Sequence, residues 1–230
     1  MLQDRLSNGP VRRIWKNNSL SIVLFGLFFV VMAGQSVTGF QTYNDERSDH
    51  EQQTIGYGEY LTSGHFGEAI FENWESEFLQ MAFFILLTVY FRQRGSAESK
   101  KVEGTEDVDK DPRDSRRTKD VPWPVRKGGI VLRIYEHSLS IAFVVLFLLS
   151  LMMHATEGVR AYNEERAQHG DKPVSVLGYG RSSQFWFESL QNWQSEFLAV
   201  GCMVLFSVYL RERGSPESKP VDMPHGEMPG

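Results

Sequence analysis

The strongest constraint on this chain is that it says most things twice. Ser19-Leu20-Ser21-Ile22 returns as Ser138-Leu139-Ser140-Ile141, and Gly39, Tyr43-Asn44, Glu46-Arg47 and His50 return as Gly158, Tyr162-Asn163, Glu165-Arg166 and His169. Asn73-Trp74 and Ser76-Glu77-Phe78-Leu79 return as Asn192-Trp193 and Ser195-Glu196-Phe197-Leu198, and Arg94-Gly95-Ser96 with Glu98-Ser99-Lys100 returns as Arg213-Gly214-Ser215 with Glu217-Ser218-Lys219. Each pair is 119 positions apart. The working unit is therefore one repeat of roughly 85–90 residues, present in tandem. Any fold for the chain has to be built from one small unit used twice.

The mean hydropathy of the whole chain is negative, but that average hides clumped apolar residues. Leu20 to Phe40 carries no charge. At 1.5 Å per helical residue it is long enough for a hydrocarbon core of about 30 Å. Leu139 to Thr156 matches it, interrupted only by His154. Phe78 to Phe91 and Phe197 to Leu210 are shorter, at 14 residues each. They span when the helix starts near Trp74 and Trp193, with those indoles at the interface. Charge sets the orientation. Of 24 Lys and Arg, only Arg47, Arg160, Arg166, Lys172 and Arg181 fall in the two loops within the repeats. The positive-inside rule then places both termini and the linker in the cytoplasm and both loops outside. The expected fold is an all-α membrane protein of four transmembrane helices, arranged as two helical-hairpin repeats about a pseudo-two-fold axis along the membrane normal. Its parts are a basic arm (1–18), repeat one (19–100), a charged, proline-bearing flexible linker (101–127), repeat two (128–219) and a disordered tail (220–230). The first apolar run is too long for a cleaved signal sequence.

Several function classes drop out. Cys202 is the single cysteine, so no disulfide, zinc cluster or iron–sulfur site can form within one chain. No basic stripe suits nucleic acid, and no nucleophile–base set or cofactor motif is visible. No cofactor is expected; haem would want a second axial histidine, where repeat one offers Gln35 opposite His154. What remains are polar residues at membrane depth. Asn73 and Glu77 share a helical face, as do Asn192 and Glu196. Gln35 and His154 lie at similar depth on the first and third spans. Ionisable groups there face the bundle interior and seek a partner. Glu77 and Glu196 read either as interface acids or as a paired-carboxylate site for a cation or proton. His154 is expected to hydrogen-bond to one of them.

Two motifs outside the bilayer complete the inventory. Glu46 and His50, like Glu165 and His169, stand four apart on one helix face and are candidate metal ligands; helix-end charge pairing is the competing reading. Arg-x-Arg-Gly-Ser-x-Glu-Ser-Lys closes each repeat as a helix stop, or as a docking segment for a cytoplasmic protein partner. Gly56-Tyr57-Gly58 and Gly178-Tyr179-Gly180 read as turns, and Ser63 as an N-cap.

The strings Phe71-Glu72-Asn73-Trp74-Glu75-Ser76-Glu77-Phe78-Leu79-Gln80, Arg94-Gly95-Ser96-Ala97-Glu98-Ser99-Lys100 and Tyr60-Leu61-Thr62-Ser63-Gly64-His65-Phe66 resemble an uncharacterised family of bacterial membrane proteins carrying a domain of unknown function. The resemblance implies a bacterial cytoplasmic membrane and no activity. Copy two departs from it: Gln191 and Gln194 replace Glu72 and Glu75, so any role for those acids belongs to copy one. The expected function is that of a small membrane scaffold or interaction protein, with the lipid bilayer and further copies of the chain as partners. The alternative is an ion- or proton-conducting channel or carrier with carboxylates near its external mouth. A redox or enzyme subunit is the weaker third reading.

Overall fold

The longest apolar run lies inside α1 (Pro10–Asp49), and its counterpart inside α6 (Ser138–Gln168). In this computed structural model, residues 10–116, 118 and 120–228 are described. Residues 1–9 of the basic arm and the last two of the tail fall outside that set. Regular structure among the described residues is helical: α2 (Tyr57–Tyr60), α3 (Gly64–Tyr90), α4 (Trp123–Lys127), α5 (Gly129–Glu136), α7 (Val176–Tyr179), α8 (Ser183–Tyr209) and a single 3₁₀ turn complete the order. The chain forms two compact units, 1–66 and 67–230.

In the first unit, α1 runs through the apolar segment and on into the polar Tyr43–Asp49 stretch, interrupted only by a break at Asn18 (φ −135°, ψ 17°). The loop after it is pinned by side chains the sequence uses twice. Asn44 donates to the Ile55 carbonyl at 3.1 Å and accepts from the Ile55 amide at 2.8 Å. Arg47 donates to the Gln53 carbonyl at 2.7 Å and lies over the Tyr43 ring. Tyr60 is buried, with its hydroxyl against Gly39, where any Cβ would collide with it. Ser63 accepts from the Phe66 amide and starts α3, as the N-cap reading expects.

The second unit repeats these devices. A break at His137 (φ −113°, ψ 11°) separates α5 from α6. Asn163 donates to the Val174 carbonyl at 3.0 Å and accepts from its amide at 2.8 Å. Arg166 reaches the Lys172 carbonyl at 2.8 Å and covers Tyr162. Ser182 caps α8 through the Phe185 amide. The Gly-Tyr-Gly strings are not free turns: Tyr57 and Tyr179 sit in one-turn helices. Tyr60, rather than Tyr57, occupies the place that Tyr179 takes.

The closing motif ends its helices earlier than its glycines suggest. α3 stops at Tyr90 and α8 at Tyr209. Arg92 then folds back onto the carbonyls of Thr88, Val89 and Phe91, and Arg211 onto those of Ser207, Val208 and Leu210. The last carbonyls of a helix have no partner within it, so the guanidinium supplies one. Gly95 (φ 83°) and Gly214 (φ 90°) take the left-handed turn that follows. Ser99 accepts from the Gln93 amide and Ser218 from the Glu212 amide. Ser96 and Ser207 hydroxyls meet at 2.7 Å. Glu98 faces Glu217, and its carboxyl is pushed up to about 7 by burial and then by that neighbour. Lys219 is buried and donates to the carbonyls of Pro224, His225 and Glu227.

α1 and α6 are each long and apolar enough to cross a membrane. Neither reads as the core helix of a soluble protein, because the apolar surface is open: Phe25, Val30, Leu139, Leu148 and Met152 are all more than half exposed. The small buried core of the second unit sits beyond that surface, around Val159, Tyr179 and Phe185.

Candidate functional site

Glu68, Glu72 and Glu75 stand four and three apart on α3, which puts them on one helical face. That face looks onto α6 and α8. His154, on α6, is completely buried, with its ring stacked on Phe185 at 4.8 Å. Its Nδ1–H donates to Glu75 Oε2 at 3.0 Å, and the Glu75 side chain is likewise completely buried. Its Nε2 makes no hydrogen bond but lies 3.4 Å from Glu188 Oε2, which α8 supplies. Tyr179, buried at the end of α7, brings its hydroxyl to 2.6 Å from Glu188 Oε2 and 2.9 Å from Glu68 Oε1. Asn192 donates to Glu72 Oε1 at 2.6 Å. The result is one connected chain of protonable groups: Glu75, His154, Glu188, Tyr179, Glu68.

Local sequence explains each placement. Gly158 lets Tyr179 and Glu68 in: a Cβ there would stand 2.6 Å from the tyrosine oxygen and 2.8 Å from the glutamate oxygen. Gly67, just before Glu68, packs against Glu157 of α6, where a Cβ would approach the side chain to 2.7 Å. The Ser182 cap fixes the start of α8 and so the pitch at which Glu188 points inward.

The electrostatics follow from burial. Glu68, upstream of Trp74, has its carboxyl pushed up to about 7, because burial outweighs the hydrogen bond from Tyr179. Glu72 is raised as well, again by burial. Burial also works on Glu188, but His154 beside it and the Tyr179 hydroxyl outweigh it and hold that carboxyl below its ordinary value. Burial and the adjacent carboxylates raise the Tyr179 phenol. One hydroxyl hydrogen cannot serve two ionised carboxylates at once. With Tyr179 donating to Glu188, the Glu68 contact is satisfied by a proton on Glu68 or by a cation between them.

The expected residues take varied places. His154 is at the centre, but its partners are Glu75 and Glu188, not Glu77 or Glu196 as the sequence reading expected. Glu77 is two residues from Glu75, which on a helix is a turn of about 200° to the other side, and it is exposed. Glu196 is half-buried within electrostatic reach of Glu77. Asn192 joins the site through Glu72. Asn73 is exposed and bonds to Ala69 of its own helix. Gln35 is half-buried in the first unit. Glu46, His50, Glu165 and His169 are all exposed, and the His169 ring bonds to the Glu165 carbonyl. The sequence reading misses Glu68, Tyr179 and Glu188, and has Glu72 and Glu75 only as acids that copy two lacks. The four-three spacing of the acids on α3 was the available signal.

Among protein families, the one described as Domain of unknown function (DUF6766) matches residues 11–229. No curated protein and no solved structure matches the chain.

Proposed function

The chain belongs to the DUF6766 family, and from that premise we propose that it is a four-span integral membrane protein that binds and passes a cation through the buried carboxylate–histidine site. Two spans are α1 and α6. The apolar halves of α3 and α8, beginning at Trp74 and Trp193, are the other two. The distribution of Lys and Arg supports cytoplasmic termini and a site at the external end of the bundle. The matched pins at Asn44 and Asn163, caps at Ser63 and Ser182, and breaks at Asn18 and His137 support two equivalent hairpins. The pairing of Glu98 with Glu217, and of Glu77 with Glu196, supports a pseudo-two-fold axis running between α3 and α8.

One observation carries the functional reading. A completely buried imidazole has carboxylates at both nitrogens, and a buried hydroxyl joins two further carboxylate oxygens. Buried ionic groups are costly, and apolar residues of the same volume stabilise a bundle as well or better. A scaffold has no need of them, whereas intramembrane and interfacial ionisable clusters mark ion and proton paths. The test is flux into liposomes holding the purified chain, read with proton-, monovalent- and divalent-sensitive dyes. Uptake above empty vesicles is expected, and Glu75→Gln and Glu188→Gln should abolish it. Vesicles that behave as empty, together with a purified protein that takes up no cation, would return the chain to the scaffold reading.

A further inference from the structure

We infer that the site is a centre for one divalent first-row transition ion, held by His154 Nε2, Glu188 and Glu68. The inference rests on the cation-binding reading above and names the class of cation. Glu75 accepts the Nδ1–H, which orients the ring and presents Nε2 to the site. Metal-bound histidines are oriented in this way, by a carboxylate on the far nitrogen. Nε2 is buried, has no hydrogen-bond partner and points at Glu188 and Glu68. An unpartnered buried nitrogen is costly in a finished structure, and a ligand removes the cost.

The spacing suits an ion. Donor atoms on a tetrahedral zinc-sized ion, at about 2.0–2.2 Å each, stand about 3.4 Å apart. His154 Nε2 and Glu188 Oε2 already have that separation, 3.4 Å. The three donor atoms lie within 4.8 Å of one another, so a side-chain rotation of Glu68 closes the set. Two carboxylates balance a doubly charged ion. The Tyr179 hydroxyl, 2.6 Å from Glu188 Oε2 and 2.9 Å from Glu68 Oε1, donates to one of them and stays as the outer support. A fourth position is left for water or cargo.

Ligand chemistry narrows the class. One imidazole with two carboxylates favours Mn²⁺, Fe²⁺ or Zn²⁺. Mg²⁺ and Ca²⁺ prefer oxygen alone. Soft copper(I) wants sulfur, which these three residues do not supply.

The test uses the full chain in lipid nanodiscs, stripped with a chelator and titrated with Mn²⁺ under electron paramagnetic resonance. One Mn²⁺ per chain is expected, with nitrogen hyperfine coupling from a single imidazole. His154→Gln should remove the coupling and weaken binding at least 100-fold. Glu75→Gln should keep the coupling and weaken binding about 10- to 100-fold, the range typical of outer-shell partners. Exposed Glu77→Gln should change neither. Because the coupling is read in the unmutated protein, the proposal stays testable even if a variant fails to fold. Stoichiometric Mn²⁺ without nitrogen coupling overturns it, as does binding that survives His154→Gln or depends on Glu46, His50, Glu165 and His169. Proton or monovalent flux with no stoichiometric divalent binding overturns this inference while the cation-binding reading stands. Neither flux nor binding overturns both.

Discussion

A double-mutant cycle on His154 and Glu75 tests the centre of the site with substitutions the chain already uses. Gln35 stands where repeat one matches His154, and Gln194 stands where repeat two matches Glu75. His154→Gln leaves Glu75 completely buried, facing a neutral amide, with its Oε1 already lacking a partner. Removing one member of a buried pair costs about 3–5 kcal/mol, and the amide recovers part of that as a hydrogen bond, so about 3 kcal/mol is expected. Glu75→Gln leaves the imidazole beside Glu188 at 3.4 Å, so about 2 kcal/mol is expected. Together the two amides form a neutral pair. The double variant should then cost about 3 rather than 5 kcal/mol, a coupling of about 2 kcal/mol. For a chain of this size about 1 kcal/mol moves Tm by 2–4 °C, so His154→Gln should lower Tm by about 6–12 °C. The assay is thermal unfolding in one detergent, followed by intrinsic fluorescence. The companion cycle of His154→Gln with Glu77→Gln should be additive within about 0.5 kcal/mol. Coupling to Glu77 equal to or larger than coupling to Glu75 would refute the geometry.

Gly158→Ala should lower Tm by several degrees, because a methyl group meets Tyr179 and Glu68 at 2.6 and 2.8 Å; overpacking of that kind costs about 1–3 kcal/mol. Gly26→Ala, with open space around it, should leave Tm unchanged or slightly raised in the same scan. Asn44→Ala and Asn163→Ala should each free two backbone groups of one loop residue, Ile55 or Val174, and speed proteolysis at that loop; equal resistance to wild type would show the pins to be dispensable. The Glu98 carboxyl titrates near 7 in the fold against 4.5 in its absence. The folded state therefore holds the proton more tightly, and its stability is full below about pH 4.5 and falls as pH rises through 7. Glu98→Gln should flatten Tm between pH 5 and 8, and an unchanged slope would exclude Glu98 as its source. In a Cys202→Ser background, external thiol reagents should label cysteines placed at positions 53 and 171 but not at 108.

The helices were legible in the sequence because their signals are local. The uncharged run from Leu20, its match from Leu139, and the serine cap at Ser63 each act over a few residues. The repeat exposed Gly39 with Gly158 and Asn44 with Asn163, and the fold supplies their reasons: a tyrosine hydroxyl that needs the space, and a loop that needs two hydrogen bonds. The site was legible through His154 and, at its edge, Asn192. The acids that both copies keep, Glu77 and Glu196, stand outside it, whereas the site uses acids that only one copy has. Glu75 has glutamine opposite it, and Glu188 has Ala69. Comparing repeats highlights what the common frame needs, and it passes over whatever a single copy acquired. Tyr179 was hidden by a different cause: its glycine–tyrosine–glycine string reads as a turn, whereas Tyr179 is the one buried residue at the end of an otherwise exposed helical turn.

The bond between Glu75 and His154 spans 79 residues of sequence, and that distance has a consequence for how the protein is made. At about 5–20 residues per second, a ribosome delivers Glu75 about 4–16 seconds before His154. For that interval the nascent α3 carries three acids on one face with neither imidazole nor tyrosine to meet them. In the proposed four-span arrangement Glu68 and Glu72 stand before Trp74 and can wait in water, whereas Glu75 follows the indole and has to wait at the membrane surface. Insertion of the first hairpin should thus be incomplete until α6 arrives. Chains stalled before residue 154 should expose position 75 to aqueous thiol reagents and be favoured targets for membrane proteases, while chains stalled beyond α8 should be protected from both.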